Sequence, residues 1–283
     1  MNSRNLSELI KLAITEDAGD GDHTSLSCIP DNVNGQARLL IKDHGIVAGI
    51  NVAQMVFHQI DPELELELLL KDGAKVKNGD VAFVVSGKVL SILQSERLVL
   101  NFMQRMSGIA TTTNKYVRKL EGLKTRILDT RKTTPGLRVF EKAAVKTGGG
   151  ENHRMGLYDM IMLKDNHIDF AGGIREAINS THAYLKSVGK DLSIEIEARN
   201  LDEIREILKT GEINRIMLDN FTLNDTRKAV ELINGKFETE SSGGITLETV
   251  LDYAECGVDF ISVGALTHQI HSLDMSLKAF SKI

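Results

Sequence analysis

Between Arg131 and Lys164 the chain places Arg131, Lys132, Arg138, His153, Arg154 and Lys164 within 34 residues, although its net charge is −5. Arginine grips carboxylates and phosphates with a planar fork, and lysine serves them as a point charge. Cations gathered without partners repel one another, so the cluster implies a small polycarboxylate or a polyphosphate. Acids follow downstream. Glu195 and Glu197 alternate at period two and so share one face of an extended segment, and Asp219 ends the next apolar run. Hard oxygen donors beside phosphates suit Mg²⁺, which keeps several of its waters. Pairing with nearby Arg and Lys is the other use of the same acids. Two turns, at Ser242-Gly243-Gly244 and at Gly264, close apolar runs and open helical patterns. Backbone N–H groups at such places favour phosphate.

Such residues need a frame that brings them together. From residue 125 onward short apolar runs alternate with helical patterns. The runs are "TRILDT", "DMIMLKD", "SIEIEAR", "RIMLDN", "KFETESSGG" and "DFISVGA", and the last four recur every 21–23 residues. This βαβα alternation predicts a parallel sheet with right-handed crossovers. In a βα barrel the strand C-termini meet on one rim, with phosphate sites at the last strands. A doubly wound open sheet is the alternative, but no GxGxxG follows a first strand. Ahead of this region, residues 35–89 read as strands around an amphipathic "NVAQMVFHQI". The first 25 residues read as an amphipathic helix followed by the turn-rich "EDAGDGDHTS", where Asp20, Asp22 and His23 fit turn chemistry better than metal binding. A long helical pattern starts near Ser91, with an interruption expected at Ser107-Gly108 and a second helix to Leu120.

Composition excludes several classes. With 283 residues, 42% of them hydrophobic, the chain can bury a large core. An acidic balance lacks the basic footprint of a nucleic-acid binder. Cys28 and Cys256 are the only cysteines and form neither a ligand cluster nor a disulfide framework. No apolar run reaches the roughly 18–20 residues of a membrane span, and no signal peptide is evident. A cytoplasmic protein without membrane or nucleic-acid partners is expected.

The stretches "DTRKTTPGLR", "GGGENHRMGLYDMIMLKDNHI", "IMLDNF" and "ESSGGIT", with "NFMQRMSGIATTT" and "EDAGDGDHTS", resemble quinolinate phosphoribosyltransferase, also called carboxylating nicotinate-nucleotide pyrophosphorylase. The resemblance covers almost the whole chain. It implies an α/β protein: an N-terminal α/β sandwich over residues 1–110, an incomplete parallel α/β barrel of about seven strands over 111–267, and a C-terminal helix, 268–283, packing back on the first domain. It implies a homodimer or a hexamer of dimers, with the N-terminal domain of one subunit covering the barrel mouth of the other. The reaction implied is quinolinate plus phosphoribosyl pyrophosphate giving nicotinate mononucleotide, CO₂ and pyrophosphate, with Mg²⁺. Arg131, His153, Arg154 and Lys164 match the residues that hold the two carboxylates of quinolinate, with Arg105 reaching over from the partner subunit. Lys132, Glu197 and Asp219 match those around ribose, pyrophosphate and Mg²⁺, which Glu197 and Asp219 would hold directly or through water. Ser242, Gly243, Gly244 and Gly264 match the 5′-phosphate loops. Lys132, Lys164, Glu197 and Asp219 are the expected catalytic residues. The rival enzyme reading makes Lys164 a Schiff-base lysine of a barrel aldolase; the non-catalytic one is a phosphate-ligand binding module.

Overall fold

The computed structural model describes residues 3–282. They form two compact units, the first comprising residues 3–114, 133–149 and 269–282 and the second residues 115–132 and 150–268.

The first unit opens with helices α1 (Ser3–Ala18) and α2 (His23–Cys28), followed by strands β1 (Asn34–Ile41) and β2 (Gly45–Ile46), helix α3 (Ile50–Ile60) and strands β3 (Glu65–Leu68), β4 (Lys75–Val76) and β5 (Val81–Lys88). Helix α4 (Val89–Lys119), helix α5 (Arg138–Thr147) and the last strand, β12 (Met275–Lys282), complete its elements. Asp22 caps α2 by accepting the Ser25 N–H at 3.1 Å, which is the turn chemistry expected of that loop. β1 alternates, burying Ala37, Leu39 and Ile41. It is central in an antiparallel sheet ordered β12-β1-β5-β3.

Two expectations fail in this unit. The C-terminal segment is a strand where a helix was expected: β12 pairs antiparallel with β1, Leu39 opposite Leu277 and Ile41 opposite Met275. Leu273, Met275 and Leu277 are buried, so the side chains follow period two, and an open sheet edge supplies the ladder that a short tail cannot make alone. Nor does α4 break at Ser107-Gly108; it runs for 31 residues. The small pair is a socket. Ser107 Oγ accepts the Ala48 N–H at 2.8 Å, and a Cβ on Gly108 would lie 2.1 Å from the His271 carbonyl oxygen.

The second unit carries strands β6 (Arg126–Leu128), β7 (Ile161–Leu163), β8 (Ile194–Ala198), β9 (Arg215–Asp219), β10 (Glu238–Ser242) and β11 (Phe260–Ser262). Between them come helices α6 (Asp165–Ala171), α7 (Ile174–Val188), α8 (Leu201–Thr210), α9 (Leu223–Ile233) and α10 (Val250–Ala254), and α11 (Ala265–His268) follows β11. The sheet is parallel and ordered β6-β11-β10-β9-β8-β7. An isolated parallel bridge from Leu128 to Glu151 stands where a seventh strand would begin. This is an incomplete α/β barrel with six hydrogen-bonded strands. All five residues of β8 are buried, as befits a strand covered on both faces. No described helix is long and apolar enough to cross a membrane.

Candidate active site

The expected site residues of the second unit sit at or just past the C-terminal ends of these strands: Arg131 and Lys132 after β6, His153 and Arg154 after the Glu151 bridge, Lys164 after β7, Glu197 within β8, Asp219 ending β9, Ser242 to Gly244 ending β10, and Gly264 after β11. Parallel strands place those ends on one rim. Lys164 Nζ is hydrogen-bonded to Glu197 Oε1 across β7 and β8. Arg154 is held by its Nη1 bond to the Met160 carbonyl at 3.1 Å. Burial, and then the charge of Arg131, lower its pKa, opposed by Glu195, Asp159 and Glu197. Arg131 is thus near enough for its charge to oppose that of Arg154, an effect a nearby anion would offset.

On the other side of the rim Gly243 has φ +99°, and a Cβ there would come 2.2 Å from Asn220 Oδ1. The Asn220 N–H donates to the Ser242 carbonyl at 2.9 Å, so the glycine turn is seated against the end of β9 beside Asp219. Gly264 lies under Lys132: a Cβ would approach Lys132 Cδ to 3.1 Å, and Thr267 Oγ1 donates to the Lys132 carbonyl at 2.8 Å. The helix expected to follow the Ser242-Gly243-Gly244 turn starts only at Val250. A Thr246–Thr249 turn takes its place, with the Thr246 N–H satisfied by Thr249 Oγ1 at 3.0 Å. Any phosphate affinity at Gly243-Gly244 therefore comes from the turn's own backbone and not from a helix dipole. Arg105 and Arg138 belong to the first unit, where Arg138 Nε donates to Thr133 Oγ1 at 2.9 Å.

Beneath the rim lies a buried charge network that the sequence reading passed over. Glu195, Glu240 and His153 are all buried. His153 Nε2 is 2.9 Å from Glu195 Oε2 and 3.5 Å from Glu240 Oε2, close contacts without hydrogen-bond alignment. Arg215 Nη1 meets Glu240 Oε2 at 3.0 Å and stacks over Phe260. Burial pulls the His153 pKa down, but its contacts with Glu195 and Glu240 outweigh this and push it up to about 9. Burial and the Glu240 charge push Glu195 up to about 7; for Glu240 burial is outweighed by His153 and Arg215, and its pKa falls. A second proton on His153 would have to sit on Nδ1, which already accepts the Arg154 N–H at 2.7 Å. We therefore assign the ring as neutral with its proton on Nε2, and the balancing proton to Glu195. One proton neutralises two carboxylates and one guanidinium, whereas a divalent ion among these three ligand groups would leave excess positive charge in the interior.

Asp129 also escaped the sequence reading. Fully buried at the end of β6, it accepts the His153 N–H at 2.9 Å and the Asn152 side-chain amide at 2.5 Å. The signal for Glu240 was present, since Glu238 and Glu240 alternate as Glu195 and Glu197 do.

Glu197 and Asp219 offer only oxygen, on neighbouring strands. Two carboxylates are a donor set that suits a hard cation such as Mg²⁺.

Comparison with known proteins gives the same family twice. The N-terminal domain of quinolinate phosphoribosyl transferase matches residues 22–107 and its C-terminal domain residues 109–278. The chloroplastic nicotinate-nucleotide pyrophosphorylase (carboxylating) of Arabidopsis thaliana is 48% identical over 96% of this chain and 82% of its own length. The probable nicotinate-nucleotide pyrophosphorylase (carboxylating) of Bacillus subtilis is 41% identical over 98% and 94%. The crystal structure of NadC from Streptococcus pyogenes superposes with a TM-score of 0.94 at 37% identity, covering 99% of this chain and 98% of that one. With both domains matched and relatives aligned over nearly its whole length, the chain belongs to the quinolinate phosphoribosyltransferase family.

Proposed function

We propose that the protein transfers the phosphoribosyl group of phosphoribosyl pyrophosphate to quinolinate and decarboxylates the product, giving nicotinate mononucleotide, CO₂ and pyrophosphate. The observation that carries this reading is the rim itself: the cations Arg131, Arg154 and Lys164 share it with the acids Glu197 and Asp219 and the Gly243-Gly244 turn. A doubly negative pyridine satisfies the first group and a sugar phosphate the second. The names of the matching family domains point to quinolinate and phosphoribosyl transfer.

The ring nitrogen of quinolinate attacks the anomeric carbon. A C–N bond forms as the C–O bond to pyrophosphate breaks, and the electron pair leaves with pyrophosphate. Positive charge develops on the ribose, and Glu197 and Asp219 are assigned to stabilise it electrostatically. Lys132, whose stem lies over Gly264, is assigned to the phosphoribosyl pyrophosphate. Mg²⁺, when bound through Glu197 and Asp219, would neutralise charge on the departing pyrophosphate. The alkylated ring is a pyridinium, so it accepts the electrons of the C2–carboxylate bond; CO₂ departs and C2 takes a proton.

His153 is given a supporting part in carboxylate binding, since its ring is buried and engaged by Arg154 and Glu195. Arg105 is assigned to complete the pocket of a second copy of the chain. Phe170, 92% exposed, with Leu157 and Tyr158 also exposed, supplies apolar surface that a homodimer would cover. The test is CO₂ release from quinolinate labelled at its 2-carboxylate, with and without phosphoribosyl pyrophosphate and Mg²⁺. Turnover of nicotinate alone would refute the decarboxylating reading.

A further inference from the structure

Arg105, on α4, is gripped by the segment that follows Arg131-Lys132 in the chain. Its Nε and Nη2 both donate to Glu141 Oε1, at 2.8 and 2.6 Å, and Nη2 also donates to Thr134 Oγ1 at 2.7 Å. The second carboxylate oxygen, Glu141 Oε2, accepts the Thr134 N–H at 3.1 Å. Glu141 is 1% exposed, while about a third of the Arg105 side chain reaches the surface. A buried carboxylate with each oxygen engaged cannot turn, and a fork bound along one edge is fixed in plane as well as in position. An arginine without such a mount would sample many rotamers and lose them on binding.

We propose that Glu141 and Thr134 are positioning residues that aim the Arg105 guanidinium at a carboxylate of the pyridine substrate, an inference that rests on the role assigned to Arg105 above. Neither touches substrate. Their effect passes through the direction of one fork, so it belongs to affinity for the dicarboxylate. Affinity for the sugar phosphate and the chemical step are left nearly as they were. Glutamine at position 141 cannot replace the mount, because its amide has one acceptor oxygen where Arg105 and the Thr134 N–H need two.

Steady-state kinetics in both substrates test this on wild type, E141Q, T134V, R105K and R105K/E141Q. E141Q should raise the quinolinate KM by about tenfold, with kcat and the phosphoribosyl pyrophosphate KM within about twofold of wild type. T134V should move the same constant in the same direction by less. The double variant should be no worse than R105K, because a lysine has no fork to aim. An unchanged quinolinate KM in E141Q, an equal rise in both KM values, or full additivity with R105K would overturn the mount. Should E141Q fail to fold, the quinolinate KM of T134V decides. Wild type that turns over quinolinate beside an E141Q of normal KM rejects the mount alone. Wild type inactive on quinolinate removes the functional reading and the inference with it.

Discussion

Lys164 and Glu197 form an ion pair between the residue after β7 and a residue of β8, in which the acid is buried and the lysine is 43% exposed. The pair joins the two halves of the proposed site. Without substrate each charge neutralises the other. On the proposed reading, a pyridine carboxylate at Lys164 would compete for the ammonium group and free a Glu197 oxygen for the ribose.

Lys164→Ala should therefore do more than lose one contact. It strips a charge-assisted hydrogen bond of about 1.5–3 kcal/mol from a carboxylate and leaves Glu197 buried without its cation. The expected result is a loss in quinolinate kcat/KM of roughly 10- to 150-fold, the same energy expressed as a rate. Lys164→Arg should recover part of it. An alanine variant with unchanged kcat/KM would separate Lys164 from catalysis.

The glycine turn gives a sharper contrast. Gly243 and Gly244 both have positive φ, but a Cβ at 243 strikes Asn220 whereas one at 244 meets nothing within 4 Å. Gly244→Ala should cost about 1 kcal/mol, the strain of a left-handed residue. Gly243→Ala adds a backbone clash beside Asp219 and should cost about 2 kcal/mol or more, with a raised KM for phosphoribosyl pyrophosphate. Urea melts and substrate titrations of the two variants check the order. Equal effects would mean that the 243 turn relaxes freely.

Asp129 anchors the other side. Its oxygens hold the His153 N–H and the Asn152 amide, and His153 Nδ1 in turn holds the Arg154 N–H. Asp129→Ala leaves buried donors unpaired and should cost about 1–3 kcal/mol. Because Arg154 is displaced with the loop, the quinolinate KM should rise as well. Thermal melts beside kinetics at a temperature where the variant is folded separate the two; normal kinetics there would confine Asp129 to stability.

Much of this was readable in the chain. The six strand runs were marked by their apolar character and turn boundaries, and Glu195 and Glu197 by their period. Asp129 and Arg215 were not, and Glu240 showed only its period and not its partners, because each acts through a residue on a different strand and strand order cannot be read from sequence spacing. The tail was misread for a related reason. "MSLKAF" buries Met275 and Leu277 in alternation, but eight residues at a chain end satisfy a helical template nearly as well, and only the open edge of β1 decides between them. Ser107-Gly108 misled because glycine was weighed by its helix propensity, whereas its use here is close approach.

The buried network sets a pH dependence of stability with a definite sign. Glu195 rises from 4.5 to about 7 in the folded state. Between those values the folded protein binds more protons than the unfolded chain, so stability falls as pH rises. The contribution is full below about pH 4.5 and lost through pH 7. The size is of order 1–3 kcal/mol, at 1.36 kcal/mol for each pKa unit and with the proton shared across the cluster. Glu195→Gln carries the equivalent of that proton at every pH. Urea midpoints of wild type and Glu195→Gln, measured from pH 5 to 8.5, should diverge as pH rises, with wild type losing stability relative to the variant. Parallel profiles would place the proton elsewhere and make Glu195 a permanently ionised partner of His153 and Arg215.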